Sequence, residues 1–439
     1  MRARTFPRGV HPPELKQYSS SKKIEIMPPP EKVLIPLLQH FGNPAKSLVK
    51  KGDKVLLGQM IGEASTLFSA PVHASVSGKV LSTDDHIHPS GSPVPTVTIA
   101  NDGQDCAFFS GEKTADPLIL DQEEIRQKVK AAGIVGMGGA GFPTSVKLTP
   151  PKDKPIDTVI INGCECEPLL TADHRIMMEF PEDILLGAQV VKKAVGAQRI
   201  IIGIEDNKQD ALQTIQKAIQ ENTMEAVLLK TKYPQGAEKN LVYALLNREV
   251  PRGGLPFDVG VVVQNVATVK AIWDALSRNK PLYERVITVS GSGICDPKNL
   301  SVRIGTSFQE VIDFCGGSKQ DNNVMIMGGP MMGLAQWSPL VPVVKGTSGI
   351  LLWSDPAPHK EYTCIRCARC VQHCPMSLVP TQLMKLARYE HLKEAEANGI
   401  LDCVECGCCQ YVCPAEIPLV HWIRLGKNQV VSQKRKKSA

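Results

Sequence analysis

Two cysteine runs near the C-terminal end of the chain have the spacing of metal-cluster ligands. Both fit the pattern C-x2-C-x2-C-x3-C-P; the first runs from Cys364 to Pro375 and the second from Cys403 to Pro414. This is the bacterial-type ligand run for 4Fe-4S clusters, in which the fourth cysteine of each run ligates the other cluster. The spacing therefore predicts two clusters and two runs that fold against each other.

The repeat also predicts which cysteines share a cluster. We expect the first cluster to be held by Cys364, Cys367, Cys370 and Cys413. We expect the second to be held by Cys403, Cys406, Cys409 and Cys374. Cys408 falls outside the repeat and is not expected to be a ligand. Zinc is the alternative, but four-cysteine zinc sites usually pair two C-x2-C units, whereas here four cysteines recur at the same offsets before a proline.

Length and cysteine content limit the class of protein. A chain of 439 residues suggests about three domains of roughly 150 residues each. The 14 cysteines include six outside the predicted cluster ligands, and no disulfide framework is indicated, which fits a reducing cytoplasm. We find no secretory signal pattern and no apolar run of the 18 or so residues that span a bilayer. We therefore expect peripheral association with the cytoplasmic side of a membrane, through a partner.

The net charge of +6 is concentrated at the two ends of the chain. Residues 1–23 carry six basic side chains and one acidic one, and residues 426–439 carry five basic side chains and no acidic one. The chain between them is slightly acidic, which argues against a folded nucleic-acid-binding face. We interpret 426–439 as a solvated, disordered basic tail, with contact to anionic lipid or an acidic partner as the alternative.

The first quarter of the chain divides into an arm and a small β domain. Residues 1–30 are rich in proline and lack periodicity, which predicts an arm laid over another domain. Residues 31–115 contain short apolar runs between turn signals, and their order K-G-D-x-V-x-x-G-Q, A-P, S-G-K-V resembles the barrel-sandwich fold of biotinyl and lipoyl carriers. Those carriers present a lysine on a hairpin that here reads E-A-S-T-L-F-S-A-P. We therefore expect the domain to be structural.

A glycine-rich loop spans residues 133–147 and reads G-I-V-G-M-G-G-A-G-F-P-T-S-V-K. It contains G-x-G-x-x-G, but it follows a predicted helix at 121–132 and meets Pro143, so it is not a Rossmann fingerprint. Its bare backbone N–H groups suit a phosphate or a flat ring, and Lys147 adds a cation. A flexible hinge is the alternative interpretation.

Strands and helices alternate after the loop, which predicts a parallel, Rossmann-like α/β domain over 119–281. Ligands bind past the carboxyl ends of such strands. Two polar loops, 161–170 and 263–268, follow predicted strands there. Their candidate ligand-binding residues are Asn162, Glu165, Glu167, Gln264, Asn265 and Thr268. As ordinary turn and cap residues, these side chains would need no ligand.

The rest of the chain predicts two smaller units. Residues 282–345 show strand, strand, helix and strand, which indicates a β-grasp (SLBB-like) domain. We interpret residues 336–360 as a connection. Residues 355–425 carry the cysteine runs, with two helical segments between them, and form a predicted ferredoxin-like domain with a helical insertion.

Several motifs together resemble a known family. The patterns G-x-G-G-A-G-F-P-T-x-x-K (136–147), N-x-x-E-x-E-P (162–168), Y-x-x-G-x-E (233–238) and V-x-N-V-x-T (263–268) resemble the FMN and NADH-binding core of the flavoprotein subunit of respiratory complex I. Taken from H-P-P-E-x-K at His11 to about residue 425, the chain resembles the C subunits of Rnf electron-transport complexes.

The resemblance implies a binding site for FMN and a nicotinamide nucleotide. The residues implied to line FMN are Gly136, Gly138, Lys147, Asn162, Cys164, Tyr233, Gly236, Gln264, Asn265 and Thr268. Those implied to face the nucleotide are Phe142, Glu167 and Glu238. The remaining members of the cofactor-binding set are Gly139, Ala140, Gly141 and Glu165. Cys164 and Ala237 depart from the complex I pattern, which has acidic residues at both positions.

The resemblance also implies a function. FMN would exchange electron pairs with NADH and single electrons with the clusters, and no catalytic side chain beyond the cofactors is required. We expect reversible electron transfer between NADH and ferredoxin through the membrane subunits of an Rnf complex, coupled there to H+ or Na+ translocation. A cobalamin reductase of the propanediol-utilisation type and a non-enzymatic ferredoxin-like relay are the alternatives.

Overall fold

The computed structural model describes residues 3–109, 116–321, 323–354 and 360–438. Over these ranges, no helix combines the length and apolarity that a membrane crossing requires. An N-terminal arm, a β domain, an α/β domain, a β-grasp domain and a helical domain follow one another along the chain.

The arm lies across two of the later domains. Its backbone pairs with the α/β domain at Arg4, which bridges to Leu229, and at Val10, which bridges to Tyr233. Its only strand in the described residues, β1 (Ile24–Ile26), adds in parallel to a strand of the β-grasp domain.

Two small antiparallel sheets form the β domain. Its strands are β2 (Lys32–Pro36), β3 (Lys46–Ser47), β4 (Lys54–Val55), β5 (Met60–Glu63), β6 (Val72–His73), β7 (Gly78–Ser82), β8 (Asp85–Ile87) and β9 (Pro93–Asn101). One sheet has the order β2-β9-β7-β4, with β8 beside β9, and the other has the order β3-β5-β6. Alternating residues such as Val33, Ile35, Val97 and Ile99 fill the space between the sheets.

A four-stranded parallel sheet forms the centre of the α/β domain, as the alternating pattern predicted. Its strands are β10 (Thr158–Gly163), β11 (Arg199–Glu205), β12 (Met224–Leu229) and β13 (Val261–Asn265), in the order β12-β11-β10-β13. Its helices are α1 (Gln122–Ala131), α2 (Thr144–Lys147), α3 (Ala172–Glu179), α4 (Pro181–Val195), α5 (Gln209–Ala218), α6 (Glu238–Leu246) and α7 (Val266–Arg278). The order places the carboxyl ends of β10 and β13 side by side, next to the glycine-rich loop.

The β-grasp domain contains two strands that the sequence analysis missed, the last two along the chain. Its elements are β14 (Glu284–Ser290), β15 (Lys298–Arg303), α8 (Phe308–Phe314), β16 (Asn323–Met327), β17 (Leu334–Gln336) and β18 (Gly349–Ser354). The interpretation of 336–360 as a connection is wrong, because β18 lies between β14 and β16 in the sheet. Its apolar run I-L-L-W was the available signal: Ile350 and Leu351 are fully buried.

Helices make up the described part of the C-terminal domain: α9 (Arg369–Gln372), α10 (Pro380–Arg388), α11 (Leu392–Ala397), α12 (Cys408–Tyr411) and α13 (Leu419–Ser438). The expected disordered tail is wrong for 426–438, because α13 continues through it. Leu419, Ile423, Gly426 and Val430 share one buried face of this helix. Farther along it, Lys434 pairs with Glu396 of α11.

Candidate functional site

The glycine-rich loop is anchored at both ends and open in the middle. Gly136 N donates to Phe142 O at 2.9 Å, and Met137 N donates to Thr268 Oγ1 at 3.0 Å. Between these anchors, residues 138–140 are exposed. We call residues 138–140 the crest. A Cβ at Gly138 would come within 2.7 Å of the Asn265 side chain, so only glycine allows this close approach.

The carboxyl end of β13 supplies polar groups beside the crest. Asn265 caps α7 by accepting from Ala267 N at 2.9 Å, and it donates to Asp173 at 2.6 Å. Gln264 is 2% exposed, and its Nε2 has no hydrogen-bond partner among the described residues. A buried amide without a partner costs free energy, so this group is suited to a bound polar ligand.

Lys147 and Glu238, which the resemblance assigned to FMN and to the nucleotide, form an ion pair. Lys147 Nζ also donates to Val263 O at 3.0 Å, so the lysine bridges α2, β13 and the first turn of α6. Both side chains keep some exposure, which leaves the pair accessible to an anionic ligand.

The end of β10 packs tightly against the segment after β12. Asn162 Nδ2 donates to Gly236 O at 2.8 Å, and Cys164 N donates to Asn162 Oδ1 at 3.1 Å. The Cys164 side chain is fully buried among β-sheet residues such as Ile201, and burial raises the pKa of its thiol well above the usual value. Cys164 therefore stays a neutral thiol, at a position where the complex I pattern has an acidic residue.

Two buried lysines hold the loop that follows β10, residues 161–170. Lys16 of the arm donates to the carbonyls of Glu165 (2.8 Å), Glu167 (3.0 Å) and Leu170 (2.5 Å). Lys208 donates to Cys164 O at 2.6 Å. Burial and then Lys208 lower the pKa of Lys16.

The arm is thus part of the site, a role that the sequence analysis did not find. The motif H-P-P-E-x-K ends at Lys16, and that motif was the available signal. Lys208 Nζ also lies 3.1 Å from the buried carboxylate of Glu205. Burial acts to lower the pKa of Lys208, but Glu205 and Glu165 raise this pKa overall. Buried charges need such partners.

Glu165 acts as a helix cap. Its carboxylate accepts from Asp173 N at 2.7 Å and from His174 N at 3.2 Å, both in the first turn of α3. A negative group at this end also complements the helix dipole. For Glu165, these hydrogen bonds are the ones expected of an ordinary cap residue, which would need no ligand.

Glu167 contacts the β-grasp domain. Its carboxylate accepts from Met331 N at 3.0 Å and Met332 N at 2.9 Å, in the turn between β16 and β17. The Tyr233 hydroxyl lies 3.4 Å from it. Any Cβ at Gly329 would clash with this carboxylate. Burial raises the pKa of Glu167.

Tyr233 joins the α/β domain to the second cysteine run. It is 1% exposed, and its hydroxyl donates to Cys406 O at 2.7 Å. The Cys408 thiol lies 3.9 Å from Tyr233 O. Met331 packs against the buried cluster that contains Tyr233, Cys406 and Cys408. We call Glu167, Tyr233, Met331, Cys406 and Cys408 the domain junction. Three domains meet there, and two of its members were expected to contact FMN or the nucleotide.

The two cysteine runs have the same backbone conformation. Left-handed φ angles recur at equivalent offsets: Arg366 (57°) and Glu405 (56°) follow the first cysteine of each run by two residues. Ala368 (59°) and Gly407 (82°) form a second pair at equivalent positions of the two runs. Ser377 (55°) and Glu416 (51°) form a third pair. Such angles are uncommon outside glycine, so their recurrence identifies a true structural repeat.

The cysteines of the two runs lie close together in one packed group, which includes members of both predicted ligand sets. Burial raises the pKa of the Cys409 thiol, and Cys403, Cys406 and Cys374 of its predicted set and Cys370 of the other set add to this shift. Cys413 likewise contributes to the raised pKa of Cys370, for which burial is the largest cause. Cys367 is exposed. Within the described ranges, no three His, Cys, Asp or Glu side chains lie close enough to bind one metal ion.

Comparison with protein families assigns the domains. The barrel sandwich hybrid domain of RnfC matches residues 4–104, and the Nuo51 FMN-binding domain matches residues 129–274. An SLBB domain matches residues 286–335, and a 4Fe-4S dicluster domain matches residues 361–417. These four matches agree with the β, α/β, β-grasp and helical domains described above.

Curated relatives match almost the whole chain. The C subunit of the proton-translocating ferredoxin:NAD(+) oxidoreductase complex of Clostridium ljungdahlii is 47% identical over 430 residues, which cover 97% of this chain and 94% of that protein. The chain belongs to the RnfC family. Another member, the C subunit of the Na(+)-translocating complex of Acetobacterium woodii, is 44% identical, with 98% of each chain covered.

Among solved structures, an NAD+-reducing [NiFe]-hydrogenase in its H2-reduced state has a similar fold. The TM-score is 0.50 at 18% sequence identity, over 73% of this RnfC-family chain and 62% of the hydrogenase chain. At 18% identity, this similarity shows only that the two chains share a fold.

Replacement of Lys16 tests the lysine clamp on the 161–170 loop. We expect Lys16→Met to lower the thermal midpoint of the chain by several degrees, because three loop carbonyls lose a charged donor, the buried carbonyl of Leu170 among them. An unsatisfied buried group costs roughly 1–3 kcal/mol. Lys23→Met is the matched control, since Lys23 is an exposed lysine of the same arm. Equal midpoints for the two variants in a thermal denaturation scan would contradict the clamp.

Proposed function

We propose that this chain is the NADH-oxidising or NAD-reducing subunit of a membrane-bound ferredoxin:NAD oxidoreductase. It passes electrons between NADH, FMN and two 4Fe-4S clusters, and the complex couples this transfer to H+ or Na+ translocation. Membership of the RnfC family supports the proposal, since relatives that match nearly the whole chain carry this activity in their names. This support favours the proposal over the motif-based alternatives, a cobalamin reductase and a non-enzymatic relay.

The residues around the crest fit FMN. The bare N–H groups of 138–140 and the nearby Lys147 suit its phosphate, and the amide of Gln264 suits a polar edge of its ring. When bound, FMN exchanges electron pairs with a nicotinamide and single electrons with iron-sulfur clusters. The surrounding four-stranded parallel sheet is Rossmann-like in this proposal, with the ligand past the carboxyl ends of β10 and β13.

One contact carries the proposal: the hydrogen bond from Tyr233 to Cys406. It fixes the ligand loop of the second predicted cluster directly against the flavin-binding domain. A rigid, buried contact of this kind keeps the two redox sites at a constant separation. Tyr233 holds the cluster loop through this bond, and Glu167 holds the β-grasp turn at Met331 that packs beside it.

The contacts of the domain junction support an order for the clusters. We propose that the cluster held by Cys403, Cys406, Cys409 and Cys374 lies nearer to FMN. The cluster held by Cys364, Cys367, Cys370 and Cys413 is then the outer one, and the exposure of Cys367 supports a position at the surface. Electrons are exchanged there with the membrane subunits of the Rnf complex, on the cytoplasmic side of the membrane.

Anaerobic reconstitution with iron, sulfide and FMN tests the function. We expect one bound flavin and about eight irons per chain, with bleaching of both flavin and cluster absorbance when NADH is added. If the chain bound about eight irons but no flavin, the crest would have only a structural role and the non-enzymatic ferredoxin-like relay would be favoured.

Two adjacent cysteines test the ligand assignment. We expect Cys409→Ser to lower the iron content from about eight to about four per chain, because it removes one ligand of the inner cluster. Cys408→Ser is the matched control and is expected to retain about eight irons, since Cys408 lies outside the repeat. Iron and sulfide analysis after reconstitution gives the answer; loss of about four irons in Cys408→Ser would overturn the assignment.

A further inference from the structure

Three phenylalanine rings meet where the β domain touches the glycine-rich loop. Phe142, at the end of the loop, stacks on Phe41 with ring centroids 6.0 Å apart and an angle of 27° between the ring planes. Phe68 approaches Phe142 edge-on at 5.8 Å. Phe41 and Phe68 both belong to the β domain, so two domains contribute to this group. We call it the aromatic rim.

The rim is held in place by backbone contacts. Phe41 N donates to Gly141 O at 3.0 Å, directly beside the crest. Asn43 N donates to Phe68 O at 3.3 Å, and a Cβ at Gly42, where φ is 125°, would clash with that same carbonyl. The two rings of the β domain are therefore fixed relative to each other and to the loop. A preorganised surface of this kind loses little conformational entropy on binding.

The rim also leaves aromatic surface open. Phe41 is 53% exposed and Phe68 is 44% exposed, although each already contacts Phe142. Phe68 belongs to the hairpin that carries the modified lysine in biotinyl and lipoyl carriers, and that hairpin has no lysine here. The hairpin therefore keeps its position on the fold while presenting a ring in place of an amine.

The position of the rim indicates what it binds. One end of the crest, Gly138, contacts Asn265 on the side of the polar groups that suit FMN. Just past the other end, Gly141 contacts the β domain at residues 39–41. A ligand that reaches from the flavin across the crest thus arrives at the rim. Exposed aromatic rings stack on nucleobases, with about 1–3 kcal/mol gained per base.

We propose that Phe41 and Phe68 of the β domain, together with Phe142, form the binding site for the adenine base of NAD(H). This inference rests on the proposed function, which supplies the dinucleotide. It gives the β domain a direct role in binding the substrate, where the sequence indicated a structural scaffold. The nicotinamide end of the same molecule lies at the flavin, so the rim determines affinity for the dinucleotide and leaves electron transfer unchanged.

The test compares two nucleotides on the reconstituted chain. We expect Phe68→Ala and Phe41→Ala to raise KM for NADH about tenfold, with kcat unchanged, because one stacking partner is lost. KM for reduced nicotinamide mononucleotide, which has no adenine, is expected to stay the same. Phe68→Trp, which keeps a stacking ring, should restore KM for NADH. Phe108→Ala is the matched control, since Phe108 is an exposed ring of the β domain that takes no part in the rim.

A binding measurement decides the proposal without turnover. ADP-ribose carries the adenine but no nicotinamide, and we expect its affinity to fall about tenfold in Phe68→Ala and to be unchanged in Phe108→Ala. Equal effects of Phe68→Ala on both reduced nucleotides, or no effect on ADP-ribose, would overturn the proposal. If the unmodified chain oxidised no NADH, the proposed function would fail, and the ADP-ribose result would still decide the adenine site.

Discussion

The rest of the structure depends on the clamp that Lys16 and Lys208 place on the 161–170 loop. Two buried ammonium groups donate to four of its carbonyls, so the loop is fixed from the arm on one side and from the α/β domain on the other. A buried lysine is tolerated only when its donors are satisfied, and the loop provides the acceptors. Because the loop is rigid, Glu165 can cap α3 and Glu167 can reach the β-grasp domain.

That rigidity is carried to the cluster domain through the domain junction. Glu167 fixes the turn at Met331, and Tyr233 fixes the carbonyl of Cys406. Polar groups in such a buried contact interact strongly, because little water is present to screen them. The junction thus brings the α/β domain, the β-grasp domain and the second cysteine run into one buried contact.

Much of this organisation could be predicted from the sequence. The cysteine spacing indicated the repeat that the φ angles at Arg366 and Glu405 reproduce, and alternating apolar runs indicated the parallel sheet. Tertiary contacts could not be read in this way. Lys16 is far along the chain from the loop that it holds, and the position of β18 between β14 and β16 does not follow from its apolar run. The basic charges of the tail masked the buried face of α13.

The motifs indicated candidate residues of the site but not their contacts. Asn265 and Thr268 contact the glycine-rich loop, whereas Lys147 and Asn162 donate to the carbonyls of Val263 and Gly236. Glu167 and Tyr233 occupy matching motif positions, and they contact the β-grasp domain and the second cysteine run. A shared motif therefore fixes local backbone geometry more firmly than it fixes the partner of each side chain.

The central claim is that the inner cluster receives electrons from the flavin before the outer one. Freeze-quench EPR after mixing with NADH measures this directly in two reconstituted variants that each lack one cluster. In Cys364→Ser, which lacks the outer cluster, we predict rapid reduction of the inner one. In Cys409→Ser, which lacks the inner cluster, we predict that NADH reduces the flavin while the outer cluster stays oxidised. Equally rapid reduction of the outer cluster in Cys409→Ser would contradict the account.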